Sequence, residues 1–136
     1  MTFAAHTKVP VETTRAEIDR LLGRHGATQR GVMQNDETKH AIVAFVIQGA
    51  KYRIEIPLAD KRGKPLSDQI LRTRWRLVLL ALKTKLEIVA LGVSTVEHEF
   101  MADLVLTNGR TVQENLGEFI QRGLGEDGPR MLGDGR

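Results

Sequence analysis

Ser67–Gly92 reads SDQILRTRWRLVLLALKTKLEIVALG, and it decides the fold class. Ser67 or Asp68 can accept the free amides at a helix start, and Gly92 supplies a stop. Between them the spacing predicts a helix to about Leu91. At 100° per residue, Leu71, Trp75, Val78, Leu79, Leu82, Leu86 and Val89 share one arc. Ile70, Leu77, Ala81 and Ile88 form a second, with Arg74 and Lys85 between the two. Arg72, Arg76, Lys83 and Glu87 fall within about 60° of one another. This pattern predicts a long, largely buried helix, packed on both sides and presenting one narrow, mainly basic column. Its longest apolar run, Leu77 to Leu82, is far short of the roughly 20 residues a membrane span needs, so no membrane partner is expected.

Working back along the chain, Lys51, Arg53 and Glu55 alternate with Tyr52, Ile54 and Ile56. That is a strand with one core face and one polar face. Gln48-Gly49 precedes it as a hairpin turn. His40 to Ile47 is almost continuously apolar and is expected to be a strand buried on both faces. Thr28 to Gln34 is a further strand candidate, with Asn35 and Asp36 as turn residues. Thr14 and Glu17 have capping-box spacing, predicting a helix over 14–25 that ends at Gly26. Residues 1–12 read as a loose leading segment. Asp60 to Pro65, DKRGKP, forms a basic loop before the long helix.

Working forward, Ser94 and Glu97 repeat the capping-box spacing at a short helix carrying Val96 and Phe100. Val105-Leu106 and Asn108-Gly109 suggest a small hairpin leading to Thr111-Val112. Thr111 and Glu114 make a third box, opening a helix with Leu116, Phe119 and Ile120 on one face. Residues 125–136 are glycine-rich and are expected to be a flexible C-terminal tail. The whole reads as one α+β domain over 1–124: an N-terminal helix, a small antiparallel sheet with a β-hairpin, a long central helix, and a small C-terminal hairpin and helix.

The 136 residues are 41% hydrophobic and 27% charged, an ordinary globular composition. The chain has no cysteine, which removes disulfides, thiolate metal sites and cysteine nucleophiles and fits a reducing compartment. Both serines, Ser67 and Ser94, have capping roles. The four histidines, His6, His25, His40 and His98, show no metal-ligand spacing. No phosphate-cradling glycine motif opens a helix. No catalytic residue, metal ligand or cofactor is therefore assigned. The densest polar cluster, Glu97, His98, Glu99 and Asp103, leaves open an enzyme using carboxylate and histidine chemistry, with Glu99 and Asp103 on one helical face.

Charge is the best functional signal. Residues 51–85 carry ten Lys/Arg against three Asp/Glu, while residues 86–136 carry four against nine. A basic block of this kind attracts polyanions. Lys51 and Arg53 on the strand, Lys61, Arg62 and Lys64 in the loop, and Arg72, Arg76 and Lys83 on the helix are the candidate nucleic-acid contacts, expected to form one surface. Lys and Arg so placed neutralise phosphates without reading sequence. The alternative is a protein–protein interaction module, acting as a homo-oligomer whose basic and acidic thirds pair between copies, or binding a host or phage protein.

Three stretches, VPVETTRAEIDRLLGRHGAT (Val9–Thr28), HAIVAFVIQGAKYRIEIPL (His40–Leu58) and RWRLVLLALKTKLEIVALGVSTVEHEFMADLVLTNGRTV (Arg74–Val112), together resemble a family of small conserved proteins of tailed phages and prophages. The resemblance implies a phage or prophage source and a bacterial cytoplasm, and it assigns no catalytic residue. A β-β-β-α order is also similar to the core of single-strand annealing proteins of recombination, whose basic groove holds DNA. That likeness implies single-strand binding or annealing as the form of nucleic-acid binding.

Overall fold

A computed structural model of the chain describes residues 4–125. It is α+β: α1 (Val11–Arg24), β1 (Gln29–Asn35), β2 (His40–Ile47), β3 (Ala50–Pro57), α2 (Asp68–Ala90), α3 (Val96–Glu99), a 3-10 turn (Met101–Asp103) and α4 (Val112–Gly125). The expected tail lies outside the described residues, save Gly125, the last described residue of α4.

The strands form one antiparallel sheet in the order β1-β2-β3. Between β2 and β3 the turn residues Gln48 and Gly49 both take positive φ, 53° and 79°. A two-residue loop with that conformation twists with the strands it joins, and it sets Ile47 opposite Ala50 and Phe45 opposite Tyr52. β2 is not buried on both faces. Ala41, Val43, Phe45 and Ile47 are buried, whereas His40, Ile42, Ala44 and Val46 are only half-buried. All of the core-forming helices lie on one side of the sheet, so an apolar run that looks like a central buried strand has a covered face and an open one.

The covered face packs against Ile18, Leu21 and Leu22 of α1 and Trp75, Leu79, Leu82 and Leu86 of α2. Phe45, Tyr52 and Phe100 form an aromatic cluster at its centre, with ring centroids 5.5 to 5.9 Å apart. Such pairs add about 0.5–1.5 kcal/mol each beyond the area they bury. The Tyr52 hydroxyl has no hydrogen-bond partner there. Burial first, and then the charge of Glu97, push its pKa above 10.0.

α2 begins as its sequence indicates: Ser67 Oγ accepts from the Ile70 amide at 3.3 Å. Its end is closed by Gly92 (φ 77°), with the Val93 amide donating to Ile88 O at 3.1 Å. Only one of its two apolar arcs is packed as expected. Trp75, Leu79, Leu82 and Leu86 are buried, but Ile70 and Ala81 of the second arc are exposed and Leu77 and Ile88 only half-buried. Among the described residues no second layer covers that arc, and α2 is packed on one side.

Within the leading segment, residues 4–7 are tied down rather than loose. Gln69 Nε2 donates to Ala5 O at 3.2 Å and to Thr7 O at 3.0 Å, and Ala4 is buried. Pro10 then starts α1 three residues earlier than the capping-box spacing predicts. Proline suits a helix start because its fixed φ is preorganised and its missing N–H is not needed there. The Thr14 amide donates to Pro10 O at 3.2 Å, so Thr14 is inside the helix. It is fully buried, and its hydroxyl has no partner.

After α3 the chain adds a rudimentary fourth ribbon beside β3, through a Tyr52–Leu104 bridge and a Val105 amide donating to Lys51 O at 2.9 Å. The expected small hairpin is the Val105–Thr111 bridge around Asn108-Gly109. Thr95, not Ser94, caps α3, accepting from the His98 amide at 3.2 Å.

Candidate nucleic-acid interface

α1 and α2 run side by side in the same direction. Val11 and Glu12 lie by Asp68 and Arg72 near their starts, and Glu17 to Arg24 lie by Arg76 to Lys83 farther on. Between the later turns is a hollow of about 310 Å³, lined by Glu17, Arg20, Leu21, Arg24, Arg76, Leu79, Leu80 and Lys83. Its floor is leucine. Its walls carry four cations and one carboxylate. Glu17 is engaged with Arg76 at 3.0 Å. Arg20, Arg24 and Lys83 are exposed and form no ion pair among the described residues. A second hollow, of about 380 Å³, lies on the other side of Arg76 against Ala4, His6, Thr7, Val9 and Leu80.

Arg20 and Arg24 were missed by sequence reasoning. They stand one turn apart on the polar face of α1, which is the only signal the sequence holds. Their meeting with Arg76 and Lys83 is a tertiary event, created when Leu21 and Leu79 pack.

The eight cations expected to form one surface occupy separate places. Arg76 and Lys83 line the α1–α2 groove. Arg72 sits nearer the helix starts, its Nη2 donating to Gln69 Oε1 at 2.7 Å. Lys61, Arg62 and Lys64 are exposed on a closed knuckle before α2. Asp60 Oδ1 accepts from the amides of Arg62 and Lys64, both at 2.9 Å, and Gly63 turns with φ 84°. Lys39 joins this knuckle by donating to Gly63 O at 2.6 Å. From Ser67 to Lys83 the helix rises about 24 Å, so knuckle and groove are well apart.

Lys51 and Arg53 belong to neither place. They alternate with buried Tyr52, so they stand on the face of the sheet turned away from α1 and α2. Lys51 is exposed. Arg53 is a structural residue: Nη1 donates to Gly109 O at 3.1 Å and Nη2 to Glu114 Oε1 at 2.5 Å. The same Glu114 oxygen accepts the Thr111 amide at 2.7 Å, and Thr111 Oγ1 accepts the Glu114 amide at 3.1 Å. This is a complete capping box with an arginine clamped on it. The Thr111 amide, followed by the charges of Arg53 and Arg110, holds the Glu114 carboxyl below the ordinary glutamate value.

The acidic cluster is not carried on one helix. α3 ends at Glu99 and the chain turns at Phe100, so Glu99 and Asp103 do not share one helical face. Glu97 and His98 are exposed. Asp103 is shifted upward by burial, opposed by the charge of Lys85, and the Lys85 ammonium lies 5.1 Å from the Phe100 ring centroid. Among the described residues no group of three or more histidines and carboxylates is placed to hold a metal ion, and no helix is long and apolar enough to cross a membrane.

The groove can hold anionic groups. Three exposed cations converge over an apolar floor, with a single carboxylate already committed to Arg76. Comparison with protein-family models, with curated proteins and with solved structures gives no match to this chain.

Proposed function

We propose that this chain is a non-enzymatic nucleic-acid-binding protein of phage or prophage origin, acting in replication or recombination in the bacterial cytoplasm. The observation that carries the reading is the α1–α2 groove, where Arg20, Arg24, Arg76 and Lys83 surround one neutralised carboxylate. Cations presented from two rigid helices hold their spacing, which suits them to a phosphate backbone. The knuckle of Lys61, Arg62 and Lys64 adds a second contact for a chain long enough to reach it. The rings of Phe45, Tyr52, Trp75 and Phe100 are buried and no aromatic side chain lines the groove, so binding there rests on phosphates rather than on base stacking. The resemblance to phage proteins and the β-β-β-α order support a place in DNA metabolism.

The test is fluorescence anisotropy with labelled single- and double-stranded oligonucleotides across a salt series. Engagement of four cations gives a slope of log affinity against log salt of about −3 to −4. Absence of binding at low salt to either form of DNA and to RNA contradicts the reading. A second reading, a protein–protein interaction module acting as a homo-oligomer, is favoured by the uncovered apolar stripe of α4.

A further inference from the structure

Arg76 differs from the other cations of the α1–α2 groove. Arg20, Arg24 and Lys83 form no ion pair among the described residues, whereas Arg76 Nη1 donates to Glu17 Oε1 at 3.0 Å. Among the described residues that is the single side-chain hydrogen bond of either partner, so most of the guanidinium's N–H donors are left over. Both side chains keep part of their surface, 26% for Arg76 and 32% for Glu17. An ion pair in this state is weak, because water competes for both partners. Glu114 shows the contrast: it is fixed by the Thr111 amide as well as by Arg53. Glu17 has no such second anchor and can be exchanged.

The groove therefore has two unlike rungs. At the first, Glu17 of α1 faces Arg76 of α2, and the protein supplies the anion itself. Seven residues farther along each helix, a rise of about 10.5 Å, the corresponding positions are Arg24 and Lys83, and both line the same hollow. That rung has two cations and no anion. Arg76 also stands where the groove continues: it and Leu80 line both the hollow of about 310 Å³ and the one of about 380 Å³ beyond. Among the described residues, the lining of the second hollow has no other arginine or lysine and no carboxylate. A row of phosphates that enters at Arg24 and Lys83 meets Arg76 next, with Glu17 already on it.

We infer, on the reading of the groove as a nucleic-acid site, that Glu17 is a resident competitor for phosphate at Arg76. Binding exchanges the carboxylate for a phosphate group, and release restores the ion pair. The exchange is chemically even-handed, because carboxylate and phosphate both offer paired anionic oxygens to the fork of a guanidinium. It is not free of cost. In the complex Glu17 has lost its partner and lies beside a phosphate, a like-charge contact that loosens the grip. Glu17 thus sets how tightly the groove holds a strand. Arg76 gains on the phosphate only what it gives up on Glu17.

The experiment is a double-mutant cycle on the full chain: the parent, Glu17→Gln, Arg76→Gln and the pair together. Each is titrated at low salt against a labelled single-stranded oligonucleotide and against its duplex by fluorescence anisotropy. Circular dichroism checks that every variant is folded, and Glu17→Ala repeats the cycle without an amide that could still accept from Arg76. Glu17→Gln is expected to bind about tenfold more tightly than the parent. Arg76→Gln should weaken binding by less than about threefold in the parent but by about tenfold or more in the Glu17→Gln background, the signature of two coupled side chains. The same factor in both backgrounds overturns the exchange and leaves the groove reading standing. So does a Glu17→Gln protein that binds no more tightly than the parent. No binding by any of the proteins sinks the groove reading, and the exchange with it.

Discussion

The two faces of the sheet are made by the same three strands and have opposite fates. On one, Val43, Phe45 and Tyr52 vanish under α1 and α2. On the other, their immediate neighbours Ala44, Val46 and Lys51 remain partly or wholly open. The difference also divides the charge. Arg76 and Lys83 stand in the groove on the helix side, while Lys51 and Arg53 stand on the open side. A basic block that is continuous in sequence is divided between the two sides of the sheet. Adjacency in the chain says little about a shared surface when successive side chains point to opposite faces.

Truncation at adjacent positions sharpens this contrast. Phe45→Ala should lose about 3–5 kcal/mol in urea unfolding. Val46→Ala, one residue along, should lose less than about 1 kcal/mol. Similar losses would mean that the open face is covered in solution. Next in size is Arg53→Ala, which leaves Gly109 O and Glu114 without their clamp and should cost about 1–3 kcal/mol. No loss would return Arg53 to the list of free cations.

Two threonines with the same motif carry the contrast to a smaller scale. Thr111 caps α4, and Thr111→Ala should cost about 1 kcal/mol. Thr14, with the same spacing to Glu17, is buried with an unpartnered hydroxyl. Thr14→Val keeps the shape and removes that hydroxyl, so it should be neutral or stabilising by up to about 1 kcal/mol. The capping interaction also has a pH signature. The folded state holds the Glu114 carboxyl below its ordinary value of 4.5. Its contribution is thus complete above that value and is lost as pH falls through the lower, folded one. Glu114→Gln, which cannot titrate, should flatten this part of the stability profile, measured as melting temperature against pH, whereas Thr111→Ala keeps the main-chain amide that lowers the carboxyl most.

Much of the fold was legible because its signals are local. Ser67 and Gly92 bracket α2, Gln48-Gly49 marks the hairpin, and Thr111 with Glu114 opens α4. Where the reading failed, the deciding contact lay far off in sequence. The Thr14–Glu17 spacing reads as a cap because it cannot show that Pro10 has already started the helix. β2 was expected to be buried twice because composition cannot count layers. The candidate interface was half legible: Arg76 and Lys83 were identified from their column on α2. Arg20 and Arg24 were not, because only the packing of α1 against α2 brings them there.

The measurement that tests the central claim most directly is DNA binding by two charge-reversed proteins at low salt. One carries Arg24→Glu with Lys83→Glu on the helix side; the other carries Lys51→Glu on the open side. Neither set breaks an ion pair among the described residues. The groove reading predicts that the first loses affinity by about tenfold or more, while the second changes by less than about threefold. Equal losses, or a larger loss from Lys51→Glu, would contradict it.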